Sequence, residues 1–406
     1  MYCILSAILP QYPFEVRAAG WLFLLLGIFI TASISFSGFL KSKLLPWLLF
    51  FYHMGFAIFY WYYSLSHTAD SMGYYHSIGK ETRLRVGTEF IEYLMNRLDS
   101  LFFAGYFDYF LLFHLFGFVG LCLLIRIFQE LQFFSVSKYT NYLNWIVVFL
   151  PGINFWTTAP GKDSLIFFAI MLFSWGLIQF PERIIAIVLG VILIYLIRPH
   201  IAGFFMISIV FSMLWGSGIR LRWKFVGTTV FFITFIILLP FIQDFVGLKE
   251  LSYESVSTYL QKRRTLYLEY GSSIDIQKYP FFLKILTFLY RPFFFDAKSL
   301  IWVVTSFEHL AYAILTILLF SRVFIALLQK YRYNFYVRFH FFFFAIGVFF
   351  FSLSITNLGL ALRQKTMFMP SFLILLVMTY AIRQHEADLK PRMGMVRTPT
   401  QGELHI

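Results

Sequence analysis

The sequence predicts an all-α, polytopic membrane protein, a transmembrane helical bundle with about eleven spans and with amphipathic helices outside the membrane. The chain of 406 residues is 60% hydrophobic and only 13% charged, which is more apolar surface than a soluble core can bury. Its apolar runs are long and continuous, as helices in hydrocarbon require, whereas membrane barrels show short alternating strands. Residues 1–406 are therefore expected to form a single integral membrane domain.

Apolar segments of spanning or nearly spanning length recur along the whole chain. Several are close to the lower limit of about 17 residues, and breaks such as Pro151-Gly152 leave the count open by one or two. The predicted spans are 18–40, 45–66, 103–126, 140–157, 163–180, 183–198, 200–216, 223–244, 300–326, 336–356 and 366–383.

Lysine and arginine in the connections predict the orientation of these spans. Alternation of the spans brings four basic segments to one face, which the positive-inside rule makes cytoplasmic. The basic residues are Lys41 and Lys43, Arg220, Arg222 and Lys224, Lys330, Arg332 and Arg338, and Arg383, Lys390, Arg392 and Arg397. The tail 384–406 is then cytoplasmic and the N-terminus is outside. The first apolar run lacks the charged start of a cleavable signal peptide.

The two longest connections, 67–102 and 245–299, fall on the opposite, extracytoplasmic face. Within the first, apolar residues from Thr88 to Leu101 recur at helical spacing among charged ones, which predicts an amphipathic helix on the membrane. Within the second, Tyr279 to Phe295 is apolar but interrupted by charges, which predicts a re-entrant or interfacial helix.

Basic residues also occur at outer helix ends, where the positive-inside rule expects few. Such placement has an energetic cost and indicates function, although snorkelling to lipid headgroups is the alternative. Arginine and lysine together suit a phosphate or diphosphate. The candidate substrate-binding residues of this group are Lys162 and Asp163, Arg198 and His200, Arg291, and Arg363.

Asp70 directly follows the second predicted span, at the outer membrane surface. A carboxylate there can act as a general base toward a hydroxyl, hold a divalent cation or cap a helix. Tyr74 and Tyr75 follow it and can stack on sugar rings or anchor the interface. Glu308 is an intramembrane carboxylate, which predicts a functional site facing the protein interior.

Several function classes lack their signatures in this chain. It contains no nucleotide-binding glycine loop, no His-Glu-x-x-His and no Cys-x-x-Cys, so no redox cofactor or metal is expected, a divalent cation at Asp70 being the open exception. The two cysteines, Cys3 and Cys122, are expected to be unpaired. The net charge of +13 indicates orientation and anionic headgroups, not nucleic acid.

The chain resembles bacterial polytopic envelope glycosyltransferases, of the GT-C type or of the kind that polymerises polysaccharide repeat units. The resemblance lies in an aspartate after an early span (Asp70), Gly-Lys-Asp-Ser at 161–164, Arg-Pro-His at 198–200, Tyr-Arg-Pro-Phe at 290–293 and the Arg-Gln pair at 363–364. It implies an enzyme of the bacterial inner membrane acting in cell-surface polysaccharide biosynthesis, such as O-antigen or exopolysaccharide. Its substrate would be a sugar or oligosaccharide on undecaprenyl or another polyprenyl (di)phosphate, and other envelope-biosynthesis proteins would be its partners.

That resemblance assigns Asp70 as the catalytic base and the cationic residues to the leaving phosphate. Three other classes remain open. A structural or partner-binding membrane subunit would not need clustered arginines beside an aspartate. A flippase or transporter of lipid-linked glycan would need polar residues along a path through the membrane, and the spans contain few. A membrane acyltransferase would need a catalytic histidine, for which His67, His76, His200 and His309 are available.

Overall fold

A computed structural model provides the structure of this chain. It describes residues 14–131, 145–215, 220–222, 224–229, 232–233, 236, 258, 276, 279–297, 299–319, 334–354 and 357–394. Every regular element in this part of the chain is helical, in agreement with the predicted fold class. Most of the predicted span 223–244, most of the connection 245–299, Cys3, and the basic residues Lys330 and Arg332 lie outside these ranges.

The helices follow the predicted apolar segments closely. They are α1 (Ala18–Phe36), α2 (Leu45–Ser64), α3 (Asp70–Tyr75), α4 (Thr88–Phe102), α5 (Tyr106–Leu131), α6 (Pro151–Trp156), α7 (Lys162–Ile178), α8 (Ile184–Ile197), α9 (Pro199–Trp215), α10 (Phe281–Tyr290), α11 (Leu300–Leu319), α12 (Phe335–Ser354) and α13 (Leu358–Gly394), with a 3₁₀ turn at Phe294–Asp296.

Five helices of the described residues are long and apolar enough to cross a membrane: α1, α5, α11, α12 and α13. The helices α8, α9 and α10 are apolar but shorter. The chain therefore has the apolar helices of a membrane protein, whereas the prediction of about eleven spans is met only in part. Helices do form at the two segments predicted to be amphipathic, as α4 and α10.

Two predicted spans, 140–157 and 366–383, differ from the structure more than the other described spans do. Segment 140–157 is not one continuous helix, because helical residues 145–148 end before Leu150 and Pro151 begins α6. Proline suits the first position of a helix, where its missing N–H would have no partner. Segment 366–383 starts eight residues too late, since α13 begins at Leu358 and continues through residue 383 to Gly394.

The early start of α13 has a local cause. The side-chain Oδ1 of Asn357 accepts a hydrogen bond from the backbone N–H of Leu360 at 3.0 Å, as an N-cap side chain does. Residues 357–365, predicted to be an outer turn, are thus the first turns of a helix. Arg363 consequently lies on a rigid element and not in a loop.

Helix α5 lies at the centre of the fold and contacts α1, α2, α7 and α13. Its ends mark two ends of the bundle, separated by roughly 36 Å at the helical rise of about 1.5 Å per residue. At one end, Arg126 and Arg183 both bind Glu130. At the other, the hydroxyls of Tyr106 and Ser71 are 2.9 Å apart, close to Asp70 in the chain. We call this second end the Asp70 end.

Candidate functional site

Four charged residues from four helix termini form one ionic network at the Asp70 end. The Arg363 guanidinium donates through Nη1 to Asp70 Oδ2 at 2.5 Å and through Nε to Asp163 Oδ2. Arg198 Nη2 donates to the other oxygen of Asp163 at 2.6 Å. We call Asp70, Asp163, Arg198 and Arg363 the ionic network. It is made of four residues that the sequence singled out.

The ends of helices bring these residues together. Asp70 is the first residue of α3, and Asp163 is the second residue of α7. Arg198 follows α8 directly, and Arg363 lies in the second turn of α13. Helix ends of successive antiparallel helices meet at the same end of a bundle, so residues far apart in the chain converge there.

Asp70 is the exposed member of the network, with 56% of its side chain accessible. No side chain caps α3 at its N-cap residue, Ala69, so the capping role considered for Asp70 is not observed. Burial acts to raise the pKa of the Asp70 carboxyl, but the charge and hydrogen bond of Arg363 lower this pKa below its ordinary value. Asp70 is therefore ionised at neutral pH and reachable from solvent.

Asp163 lies deeper, with 10% of its side chain exposed. Both of its oxygens are occupied, one by each arginine, so it holds the two guanidinium groups in place. Arg198 is also buried and donates through Nη1 to Gln364 Oε1 at 3.0 Å. Its Nε has no hydrogen-bond partner among the described residues, which leaves one buried donor for a ligand or a water.

Lys162 extends the network toward α4, where its Nζ donates to Thr88 Oγ1 at 2.6 Å. Burial, with the positive charges of Arg198 and Arg363, lowers the pKa of the Lys162 ammonium to about 8, against the opposing effect of the two aspartates. Three cations thus accompany two carboxylates, and the site carries an excess of one positive charge at neutral pH. Such an excess favours an anionic ligand.

The two tyrosines after Asp70 have different surroundings. Tyr74 is 4% exposed, and its ring packs against Gly161, where an added Cβ would lie 2.9 Å from Tyr74 Cε2. Its ring therefore presents no free face to a sugar. Tyr75 is partly exposed and packs against the rings of Tyr106 and Tyr109, with centroids 5.1 and 6.0 Å away.

Three further candidate residues have other surroundings. His200 packs against Phe204 and Phe351, each with ring centroids 6.4 Å away. Arg291 pairs with Asp296 next to α10. Glu308 on α11 accepts the backbone N–H of Gly152 at 2.6 Å, at the start of α6. Arg291 and Glu308 thus find partners outside the ionic network.

Sequence reasoning assigned no individual role to Gln364, Thr88 or Lys365. The predicted spans 336–356 and 366–383 left Gln364 and Lys365 in the turn between them, whereas the cap at Asn357 starts α13 ahead of both residues. Lys365 is 3% exposed and lies two positions from Arg363, so it faces a different side of the helix.

Within the described residues, no group of three or more histidine, cysteine, aspartate or glutamate side chains is arranged to hold a metal ion. Cys122 is a free, buried thiol. Comparison of the chain with family models, with curated proteins and with solved structures finds no match.

Proposed function

We propose that the chain is a membrane glycosyltransferase or polysaccharide polymerase that moves a sugar or oligosaccharide from a polyprenyl (di)phosphate carrier to an acceptor hydroxyl. One observation supports this most directly: an accessible carboxylate, Asp70, is bound to a partly buried arginine, Arg363, inside a site with excess positive charge. Glycosyl transfer of this kind needs a base for the acceptor and cations for the departing phosphate.

In the proposed transfer, one bond to the anomeric carbon breaks and another forms. The bond between the anomeric carbon and the phosphate oxygen breaks, and its electron pair stays on the phosphate. The acceptor oxygen forms the new bond to the anomeric carbon, and its proton passes to Asp70. Arg363, Arg198 and Lys162 offset the charge that the phosphate gains, and because they are held in place beforehand they need little reorganisation.

Asp70 has a free position for the acceptor. Its Oδ2 is bound to Arg363, and no hydrogen bond to its Oδ1 occurs among the described residues. Asp163 acts on the substrate through the two arginines, because each of its oxygens binds one of them and its side chain is only 10% exposed. In this proposal it is a positioning residue, not a direct contact of the phosphate.

The proposal includes a location and an orientation. The ionic network would face outward from the bacterial inner membrane, with the Arg126–Glu130–Arg183 end and the C-terminus in the cytoplasm. The basic residues Lys41 and Lys43 support this orientation, because the backbone N–H of Lys41 bonds Gln129 Oε1 beside Glu130 at the other end.

The test uses the lipid-linked intermediate that accumulates without the protein. Cells lacking the gene are extracted, and phosphate-linked polyprenyl glycans are identified by mass spectrometry. Purified wild-type protein in lipid nanodiscs should consume the accumulated species and yield a transferred glycan. Asp70→Asn and Arg363→Ala should each lower this turnover by at least about a hundredfold.

A matched control is Glu89→Gln on α4, which removes a carboxylate of an exposed pair with Arg85 and should leave turnover unchanged. Absence of any accumulated lipid-linked glycan would overturn the proposed substrate. Wild-type turnover by both Asp70→Asn and Arg363→Ala would overturn the site.

A further inference from the structure

A cavity of about 310 Å³ lies between α2, α6, α11 and α13, beside Glu308. Its walls are mostly apolar, and several wall residues are also exposed on the outer surface of the bundle, among them Phe59, Leu300 and Val304. The cavity thus opens sideways through residues that face hydrocarbon in a membrane. Its volume is at the lower end of the roughly 300–1,000 Å³ of small-molecule sites, so it has room for one chain and not for a two-chain lipid.

The polar part of the cavity wall is centred on Glu308. One carboxylate oxygen accepts the Gly152 N–H at 2.6 Å, and the other accepts the Tyr312 hydroxyl at 2.9 Å. A Cβ at residue 152 would lie 2.8 Å from Glu308 Oε1, so a larger residue there would displace the carboxylate. A carboxylate offers about four acceptor positions, and these two donors leave others unused.

Lys365 has no N–H left for a ligand, although its side chain also lines the cavity. Its Nζ is 2.9 Å from Arg291 O, 3.3 Å from Leu289 O and 3.0 Å from His309 Nε2. His309 Nδ1 lies 3.1 Å from Pro292 O, so Nδ1 carries the proton and Nε2 accepts from Lys365.

The hydroxyls on the wall are committed in the same way. Thr305 donates to Ile301 O at 2.8 Å, and Thr366 donates to Arg363 O at 2.7 Å. Every hydroxyl, ammonium and imidazole donor described on this wall is therefore used inside the protein. The capacity that remains is acceptance, which is greatest at Glu308, and donation by the indole N–H of Trp156, which has no hydrogen bond among the described residues.

We propose that this cavity binds a long-chain alcohol from the membrane, with its hydrocarbon chain against the apolar wall and its hydroxyl donating to Glu308. An anionic head would meet the Glu308 carboxylate and find no free ammonium, so fatty carboxylates are excluded. A bare alkane would bury its chain but leave the acceptor positions unused. The site is separate from the ionic network and does not depend on the proposed transferase activity.

Trp156 lines the cavity and serves as the reporter. The full chain in lipid nanodiscs is titrated with a long-chain alcohol carrying a terminal bromine, and with the matching bromo-carboxylate and bromoalkane, which quench tryptophan fluorescence on contact. The signal from the cavity is the part of the fluorescence quenching that is present in the wild type and absent in the Trp156→Phe variant. The alcohol should half-saturate at an about tenfold lower concentration than the alkane, the effect of one hydrogen bond to a charged acceptor. The carboxylate should not saturate.

A pair of variants on α11 separates the cavity from the surrounding bilayer. Val304→Phe fills the mouth at a residue that is 43% exposed and should abolish saturable quenching. Leu310→Phe adds a ring at a residue that is 39% exposed and is not part of the wall, and it should quench like the wild type. Equal quenching by the three probes, tighter binding of the carboxylate than of the alcohol, or unchanged quenching in Val304→Phe would each overturn the proposal.

Discussion

Asp163 and Arg363 lie 200 residues apart in the chain and form a direct ion pair at the Asp70 end of the bundle. The same carboxylate binds Arg198 through its other oxygen, 35 residues away. One buried aspartate therefore joins α7, α13 and the connection between α8 and α9. The network therefore holds helices together as well as forming a candidate site. Substitutions of its residues are expected to affect stability and ligand binding to different extents.

Asp163→Asn should destabilise the fold strongly, because it leaves the buried Arg198 without its counter-charge and leaves Arg363 with Asp70 as its one remaining carboxylate partner. Removing one partner of a buried pair costs about 3–5 kcal/mol. Arg198→Met should also destabilise, and the double variant should lose less than the sum, since the two residues act on one interaction. Thermal unfolding in detergent measures all three. The exposed pair variant Glu89→Gln should change stability by less than about 1 kcal/mol, and fully additive losses would contradict the coupling.

Anion affinity at the site should fall as pH rises through about 8. The pKa of Lys162 is lowered to about 8, so its positive charge is present below that pH and lost above it, well before an ordinary lysine would lose its charge. Binding of pyrophosphate, measured by calorimetry between pH 7 and pH 9, should weaken with increasing pH. Lys162→Arg should remove this dependence, because arginine keeps its charge. A flat wild-type profile would show that Lys162 does not contact the anion.

Gly161→Ala should lower stability by about 1–3 kcal/mol. Gly161 has φ +144°, a conformation that residues with a Cβ rarely adopt, and its Cβ would approach the Tyr74 ring at 2.9 Å. Gly73→Ala on α3 is the matched control, since a Cβ there meets nothing within 4 Å and alanine favours helix. The melting temperatures of the two variants should therefore shift in opposite directions, and a common direction would contradict the argument.

The C-terminus should lie in the cytoplasm, so a reporter fused there should read as cytoplasmic. The connection that contains Gly79 and Lys80 should lie outside, so a reporter inserted between these two residues should read as extracytoplasmic. The expectation rests on the basic connections. It also rests on the length of α5, which separates the Asp70 end of the bundle from the end with Glu130. Paired alkaline phosphatase and green fluorescent protein fusions measure it. The inverted pattern would place the ionic network on the cytoplasmic side and exclude a role on the outer face.

The sequence predicted the helical class and the approximate place of most helices, because long apolar runs have few solutions in a membrane. It also singled out Arg198 and Arg363, since basic residues at predicted outer helix ends stand out against the positive-inside rule. Asp163 was singled out beside Lys162 in a predicted outer turn, and Asp70 as a carboxylate directly after a predicted span. Their mutual contacts were beyond prediction, because they depend on how helices far apart in the chain pack together.

Most of the wrong sequence predictions concern the residues at which helices begin or end. The apolar pattern of 366–383 located the middle of α13, but its start depends on one side-chain cap at Asn357. Gln364 was consequently assigned to a turn, and its contact with Arg198 was missed. Tyr74 was predicted to stack on a sugar or to anchor the interface from residue type alone, whereas in the structure it is buried and its ring packs against Gly161.

Arg363 and Lys365 together determine the rotational position of α13 in the bundle. Two residues apart, they project about 200° from one another around the helix axis. Arg363 is tied to Asp70 and Asp163, and Lys365 is tied to the carbonyls of Leu289 and Arg291. Any turn of the helix about its own axis would stretch both attachments at once. Polar bonds on opposite sides of α13 thus fix its rotation about the helix axis. Apolar packing alone, which has no direction, would leave that rotation less restricted.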